Sequence, residues 1–493
     1  MTLPKPSAER LDASDAALRS LPGYTNHEPG EKEFAVLDPS TEERIATLKS
    51  MSPEEAIAEV AIADEAGRAW AKTTPRHRSD TLHNAYVLLI ANKERLAFVI
   101  SREMGKTFAE AQGEVQYAAD YVRWYAEELL RPAGGYRENP VGGSTILTKR
   151  VPIGLSLLIA PWNFPMAMIT RKIAPAIAAG CASVIKPAGL TPLTTLLTVD
   201  LLAEAGVPKG LMRVVTTTQS SAFSEAVLAD PRVRKISFTG STSVGSTLMG
   251  LAAKNIVKSS MELGGNAPLL VFDDADLDRA VEGTMLAKLR NGGQSCVAAN
   301  RIYVQDGIAD AFVEALSEKM SQVVLGNSIA ESVGLGPAIN RAAVNKFQHL
   351  VDDAVAHGAE LRAGGRTPEG AGYFFEGTVL DRVPAEAEIA NTEIFGPIAA
   401  ISRFSSQEEV LQRANDTPFG LASYVFTENL DRALNVADTL ETGLVGINNG
   451  VPSNPAAPFG GMKQSGLGRE GSHEGLEEYQ EVRYYNIARR ETS

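Results

Sequence analysis

Cysteine, tryptophan and histidine are scarce in this chain of 493 residues, which has 2, 3 and 6 of them. Two cysteines, Cys181 and Cys296, exclude a disulfide framework and a four-cysteine zinc site, and so low a number fits a reducing compartment. The histidines are scattered, with no H-E-x-x-H spacing and no close His/Cys pair, so no metal is expected. No uncharged stretch reaches the ~18 residues of a membrane-crossing helix. The N-terminal segment lacks the apolar run of a secretory signal, which makes the expected location cytoplasmic. Positive charge is not in excess either. Against 60 Asp and Glu stand 47 Lys and Arg, a net charge of −13, which argues against nucleic acid or an anionic membrane as partner. Apolar material is plentiful: at 44% hydrophobic, the chain has enough for about two to four domains.

The first 50 residues read as irregular, with short strands at 34–37 and 44–48. Ser52-Pro53-Glu54-Glu55 opens a helix, with Ser as N-cap, Pro at the first position and Glu at the third. Helices are expected over 81–104, stopped by Gly105, and over 108–131, stopped by Pro132, followed by a Gly- and Pro-rich linker at 134–144. From Leu155 the pattern changes. Apolar runs at 155–160, 182–186, 211–216 and 235–238 alternate with helical segments, the signature of a parallel sheet covered on both faces. A second alternating region runs from Leu269 to about Ile447, with helices at 276–291, 308–324 and 341–356. The fold class is therefore α/β with a doubly wound parallel sheet, in which ligands bind beyond the carboxyl ends of the strands.

Polar turns at those ends hold the candidate chemistry. Asn163, in Pro161-Trp162-Asn163-Phe164-Pro165, is a rigid amide able to donate to a developing oxyanion, though an Asn can equally just complete a turn. Lys186 can hold a ribose or phosphate. Gly240-Ser241-Thr242-Ser243-Val244-Gly245 opens a helix whose N-terminus suits a pyrophosphate. Glu262, bracketed by apolar residues and followed by Gly264-Gly265, is a candidate buried general base, against a surface ion pair as the plainer reading. Cys296 follows a Gly pair at a helix-to-loop junction and is a candidate nucleophile. Cys181 reads as core. Gly466-Leu467-Gly468-Arg469-Glu470-Gly471 matches G-x-G-x-x-G but follows no apolar strand, so it fails the test for a dinucleotide turn. An amide donor, a phosphate site, a carboxylate and a thiol, in that order, suit acyl chemistry through a thioester coupled to a dinucleotide.

These segments resemble the aldehyde dehydrogenase superfamily. The motifs around Asn163, Met261-Glu262-Leu263-Gly264-Gly265, Gly293-Gln294-Ser295-Cys296, Glu393-Ile394-Phe395-Gly396-Pro397 and Pro458-Phe459-Gly460-Gly461 match in family order and spacing, over about residues 30–490. The resemblance implies Cys296 as nucleophile, its backbone N–H and Asn163 as oxyanion hole, and Glu262 as activator of the deacylating water. It also implies Lys186 at the adenosine ribose, Ser241 at the pyrophosphate and Glu393 at the nicotinamide ribose. Trp162, Gly189, Gly240, Gly245, Leu263 and Phe395 belong with this cofactor set.

Within the superfamily the likeness is nearest to succinate-semialdehyde dehydrogenases, which implies Arg171, Arg290 and Ser453 around the carboxylate of a small aldehyde. Dehydrogenases of glutarate semialdehyde or of an aromatic or aliphatic aldehyde remain open, as does a non-catalytic binding protein on the same fold. Ala298 stands where some members carry a second cysteine, so no redox lock is expected. Gly189 stands where NAD-preferring members often carry Glu, which favours NADP and leaves NAD possible. The implied domains are a dinucleotide-binding domain (1–135 and 153–264), a catalytic domain (265–464) and a small β oligomerisation element (136–152 and 465–493). An exposed apolar edge at 482–487 suits a homodimer or homotetramer.

Overall fold

The computed structural model describes residues 3–131 and 134–489. Two parallel sheets dominate, and each carries one antiparallel edge. In the first, six strands lie in the order Gly466–Leu467, Lys258–Glu262, Val233–Thr239, Leu155–Ile159, Ser183–Lys186, Met212–Val214. The apolar runs predicted the last four of these strands, because a strand covered by helices on both faces has no polar side to show. Lys258–Glu262 escaped prediction: Lys-Ser-Ser-Met-Glu is too polar to read as a buried run. Its outer neighbour is the G-x-G-x-x-G look-alike, where Gly466 pairs antiparallel with Glu262.

The second sheet has seven strands, in the order Glu360–Ala363, Thr378–Asp381, Ile398–Phe404, Arg301–Gln305, Pro268–Val271, Ala422–Phe426, Leu444–Ile447. Only Glu360–Ala363 runs antiparallel. A third, antiparallel sheet joins Gln480–Ala488, Ser144–Pro152 and Gly135–Glu138. The expected linker at 134–144 is thus half strand, and only the turn at 139–143 is loop. The tail expected from 465 onward divides. Gly466–Leu467 joins the six-stranded sheet and helix Ser472–Glu477 packs on Ala167–Ala179, while Gln480–Ala488 forms the small sheet.

Among the helices, Pro53–Trp70 starts with a full capping box between Ser52 and Glu55. The single helix expected over 81–104 is two, Pro75–Ala91 and Lys93–Met104, broken at Asn92. Helix Phe108–Glu128 ends before Pro132, which lies outside the described residues. Helix Ala8–Arg19, in the stretch read as irregular, buries only Ser14, Ala17 and Leu18. Such a short, mostly polar helix leaves little periodicity to detect, although Ser7 caps it. Cys181 is 1% exposed in the core, as read.

Candidate active site

The cysteine loop starts where helix Leu277–Leu289 gives way to the 3-10 turn Arg290–Gly293. Asn291, Gly292 and Gly293 all take left-handed backbone, with φ of 60°, 61° and 73°. A Cβ on Gly293 would lie 2.1 Å from the Gly396 carbonyl oxygen, so glycine is required there for space as well. Across the site, a Cβ on Gly265 would lie 2.5 Å from the Cys296 carbonyl oxygen. Glycine after the Glu262 motif therefore lets the cysteine backbone come close. Cys296 is half-buried, and burial, aided by Glu393 and Glu262 and opposed by Arg171, pushes its thiol up to about 12.

Glu262 ends strand Lys258–Glu262 and is 4% exposed, and neither carboxylate oxygen has a hydrogen-bond partner. Burial, reinforced by the charge of Glu470, raises its pKa well above the usual carboxylate range. Glu470 is buried too, but its pKa is lowered, because Lys172 and Arg171 outweigh the cost of its burial. It ion-pairs with Lys172, and its Oε2 lies 2.9 Å from Arg171 Nε. Asn163, fixed between two prolines, donates from Nδ2 to the Gln294 carbonyl at 3.0 Å.

Beside Cys296 a small pocket is lined by Arg171, Arg290, Ser453, Tyr117, Phe164 and Phe459, among others, so all three residues expected around a substrate carboxylate come together there. The two arginines differ. Arg171 is 2% exposed, engaged by Glu470 and stacked 3.8 Å from the centre of the Phe459 ring. Arg290 is half-buried and ion-pairs with no carboxylate among the described residues; it lies over Phe164 and Tyr117 at 5.2 and 5.6 Å. One guanidinium of the pocket is therefore free, and the other is already balanced by an internal carboxylate.

On the other side of Cys296 a cleft of about 340 Å³ passes Asn163, Trp162, Leu263, Glu393 and Phe395. Trp162 and Phe395 meet edge to face, with ring centres 5.4 Å apart. Glu393 Oε1 accepts from the Gly265 N–H at 3.1 Å, and burial raises its pKa. Gly240 and Ser241 line both this cleft and a second one of about 640 Å³, which holds Lys186 and Gly189. A Cβ on Gly240, in the turn before helix Thr242–Ala253, would strike the Phe238 ring, and one on Gly245, inside that helix, would strike Leu263. Ser241 is the N-cap, but its side chain makes no cap bond, which leaves the first N–H groups of the helix without it. Lys186, 8% exposed, makes no side-chain hydrogen bond among the described residues, and burial lowers its pKa. Around Gly189 a Cβ would meet nothing within 4 Å.

Several residues of the site were not read from the sequence. Asn340 and Lys346 line the first cleft, and Ser220, Ser221 and Ser224 the second. Tyr117 and Met168 look like core positions of their helices, and Glu470 lay inside the discounted glycine motif. Among the described residues no group of three or more His, Cys, Asp or Glu is placed to hold a metal, and no helix is long and apolar enough to cross a membrane.

A half-buried thiol and an amide donor line the first cleft, and a buried carboxyl ends a strand of the six-stranded sheet, a set that suits an enzyme acting through sulfur. The profile of the Aldehyde dehydrogenase family matches residues 24–485. The chain is 47% identical over 444 residues to a succinate-semialdehyde dehydrogenase of Paenarthrobacter nicotinovorans, covering 90% of this chain and 99% of that protein. It is 45% identical over 482 residues to a glutarate-semialdehyde dehydrogenase of Pseudomonas putida, covering 97% of this chain and all of that one. The crystal structure of succinate-semialdehyde dehydrogenase from Burkholderia pseudomallei superposes with a TM-score of 0.91 at 45% identity, covering 93% of this chain and 95% of that chain. The chain belongs to the aldehyde dehydrogenase family and is an NAD(P)-dependent enzyme.

Proposed function

We propose that the enzyme oxidises succinate semialdehyde to succinate, preferring NADP, through a thioester on Cys296. The observation that carries the substrate is Arg290: a half-buried cation with no acidic partner among the described residues, in the same small pocket as the thiol. A short aldehyde with a terminal carboxylate would set that group against Arg290 and Ser453, with Arg171 adding field, while its carbonyl meets Cys296. The relatives named for succinate and glutarate semialdehyde, whose substrates both end in a carboxylate, support this placement.

The Cys296 sulfur adds to the carbonyl carbon. The Asn163 amide and the Cys296 backbone N–H hold the oxygen as it becomes an anion. The bound dinucleotide supplies the hydride acceptor. Collapse of the adduct leaves an acyl group on Cys296, and Glu262 takes a proton from the water that cleaves it. The two clefts fit the dinucleotide by their chemistry. Lys186 offers an unengaged ammonium, Ser241 opens a helix with free N–H groups, and Glu393 is held by Gly265 where a ribose hydroxyl could donate to it. Trp162, Phe395 and Leu263 supply the apolar walls. At Gly189 there is space but no carboxylate, so nothing at that position repels a 2′-phosphate near Lys186.

The boundaries given by the sequence would make the six-stranded half the dinucleotide-binding domain and the seven-stranded half the catalytic one. The three-stranded sheet would join subunits into a homodimer or homotetramer, in the cytoplasm. Initial rates with succinate semialdehyde, glutarate semialdehyde and an uncharged aldehyde of equal length, each with NAD and with NADP, test the reading. The expected result is a kcat/KM for succinate semialdehyde at least tenfold above the uncharged aldehyde (~1.4 kcal/mol), and higher with NADP. An uncharged aldehyde that matches it removes the role given to Arg290.

A further inference from the structure

Asn291 stands where the two halves of the site are tied together. Its backbone N–H donates to Glu110 Oε1 at 2.6 Å. Its side-chain Nδ2 donates to the Asn163 carbonyl at 2.9 Å and to the Gln294 carbonyl at 2.8 Å. The Asn163 side chain reaches the same Gln294 carbonyl at 3.0 Å. One amide therefore links the turn that carries Asn163 to the loop that carries Cys296.

The anchor lies behind it. Glu110 and Glu114 are four residues apart on helix Phe108–Glu128, and so on one face. Glu114 pairs with buried Lys106, whose Nζ also donates to the Asn163 carbonyl at 2.9 Å. Its other oxygen accepts from the N–H groups of Met166 and Ala167, at 2.9 and 3.1 Å. A single helical turn thus grips the Asn163 segment through Glu114 and the cysteine loop through Glu110. Asn291 itself is 1% exposed and holds a left-handed backbone (φ 60°, ψ 32°) that few residues other than glycine adopt cheaply. Its bonds on both sides keep it there.

We infer that Asn291, gripped by Glu110, is a positioning residue that sets the Asn163 amide and the Cys296 backbone N–H at the separation an oxyanion needs. The two donors sit on loops attached to different sheets, Asn163 after strand Leu155–Ile159 and Cys296 before strand Arg301–Gln305, and no shared strand fixes their spacing. A 1 Å error in such a spacing costs on the order of a hundredfold in rate. The inference rests on Cys296 as nucleophile, and its test separates that reading from this one.

Two reactions of the same thiol differ in whether they form an oxyanion. With p-nitrophenyl acetate the sulfur adds to the carbonyl carbon and the carbonyl electron pair moves to oxygen. The pair then returns and expels p-nitrophenolate, leaving an acetyl thioester. With iodoacetamide the sulfur displaces iodide from a saturated carbon, and no oxyanion arises. Cys181 is 1% exposed whereas Cys296 is half-buried on a cleft, so alkylation reads Cys296. Asn291→Gly keeps the left-handed backbone and removes the side-chain bonds. Glu110→Ala removes the grip, and Glu110→Gln restores an acceptor.

The expected result is a loss of about 30-fold or more in the p-nitrophenolate burst rate and in kcat/KM for succinate semialdehyde with Asn291→Gly and Glu110→Ala. Alkylation should stay within about twofold of the parent, and Glu110→Gln should recover the burst. A burst untouched by Asn291→Gly overturns the inference. So does a parallel fall in burst and alkylation, which is what general loosening of the fold would give. A parent burst that survives Cys296→Ser overturns instead the assignment of the nucleophile.

Discussion

Cys296 lies among groups that mostly oppose its ionisation. Burial, Glu393 and Glu262 together hold the thiol up to about 12. Below that value the thiolate fraction grows tenfold per pH unit. Alkylation of the free enzyme by iodoacetamide should therefore climb steadily from pH 7 to 10, and a plateau near pH 8 would contradict this environment. Gly265 faces the same residue from the other side. Gly265→Ala would press a methyl carbon against the Cys296 carbonyl oxygen, and kcat should fall at least tenfold while the fold, followed by circular dichroism, persists. Gly189 makes the opposite case, because the space beside it is open. Gly189→Glu should shift the NADP-to-NAD ratio of kcat/KM toward NAD by tenfold or more, since the new carboxylate meets a 2′-phosphate as a like charge (~1.4 kcal/mol or more). An unchanged ratio would remove this position from cofactor choice. Asn163, Glu262 and Cys296 were legible in the sequence because rigid turns and glycines flank them. Glu470 and Asn291 were not, since their importance comes from partners more than a hundred positions away.

Elements show a similar division. Strands that bury both faces announce themselves as apolar runs, and the capping box at Ser52 announces the start of its helix. Lys258–Glu262 stayed hidden because Lys235, Ser260 and the partly buried Glu478 form a polar group at its middle, so this strand, second from the sheet edge, carries polar residues. Helix Leu193–Glu204 has no capping side chain of its own. Buried Glu103, from helix Lys93–Met104, accepts instead from the N–H groups of Leu193 and Thr194, at 2.7 and 2.9 Å. Burial raises Glu103 to about 8. Its proton is therefore held in the folded state at pH values where the unfolded chain has already released it. Folding stability should then fall with rising pH, by on the order of 1 kcal/mol per unit, from the unfolded pKa up to about 8 and level off above it. Glu103→Gln removes that slope. Its melting temperature should gain on the parent steadily between pH 5 and 8, and a constant gap across that range would mean that Glu103 does not titrate as its burial implies.

At the scale of the whole molecule, the small sheet has a free outer strand. Among the described residues Gln480–Ala488 pairs only with Ser144–Pro152, and Val482, Tyr484 and Ile487 are each half or more exposed. An apolar strand edge of this kind calls for a partner. Light scattering should give a dimer or tetramer mass for the parent and a smaller one for a Val482→Lys, Tyr484→Lys double variant. An unchanged mass would move the contact elsewhere. The pairing of residues near 147 with residues near 485 was expected from the resemblance, but nothing local in the two segments specifies a partner so remote along the chain.

The antiparallel bridge from Gly466 to Glu262 also orders events during synthesis. The strand ending in Glu262 gains its flank, and Arg171 its counter-charge, only once residues 466–470 follow. A chain cut before residue 466 would leave the Glu262 strand without its flank and the buried Arg171 and Lys172 without their carboxylate, and it should melt at a lower temperature than the parent.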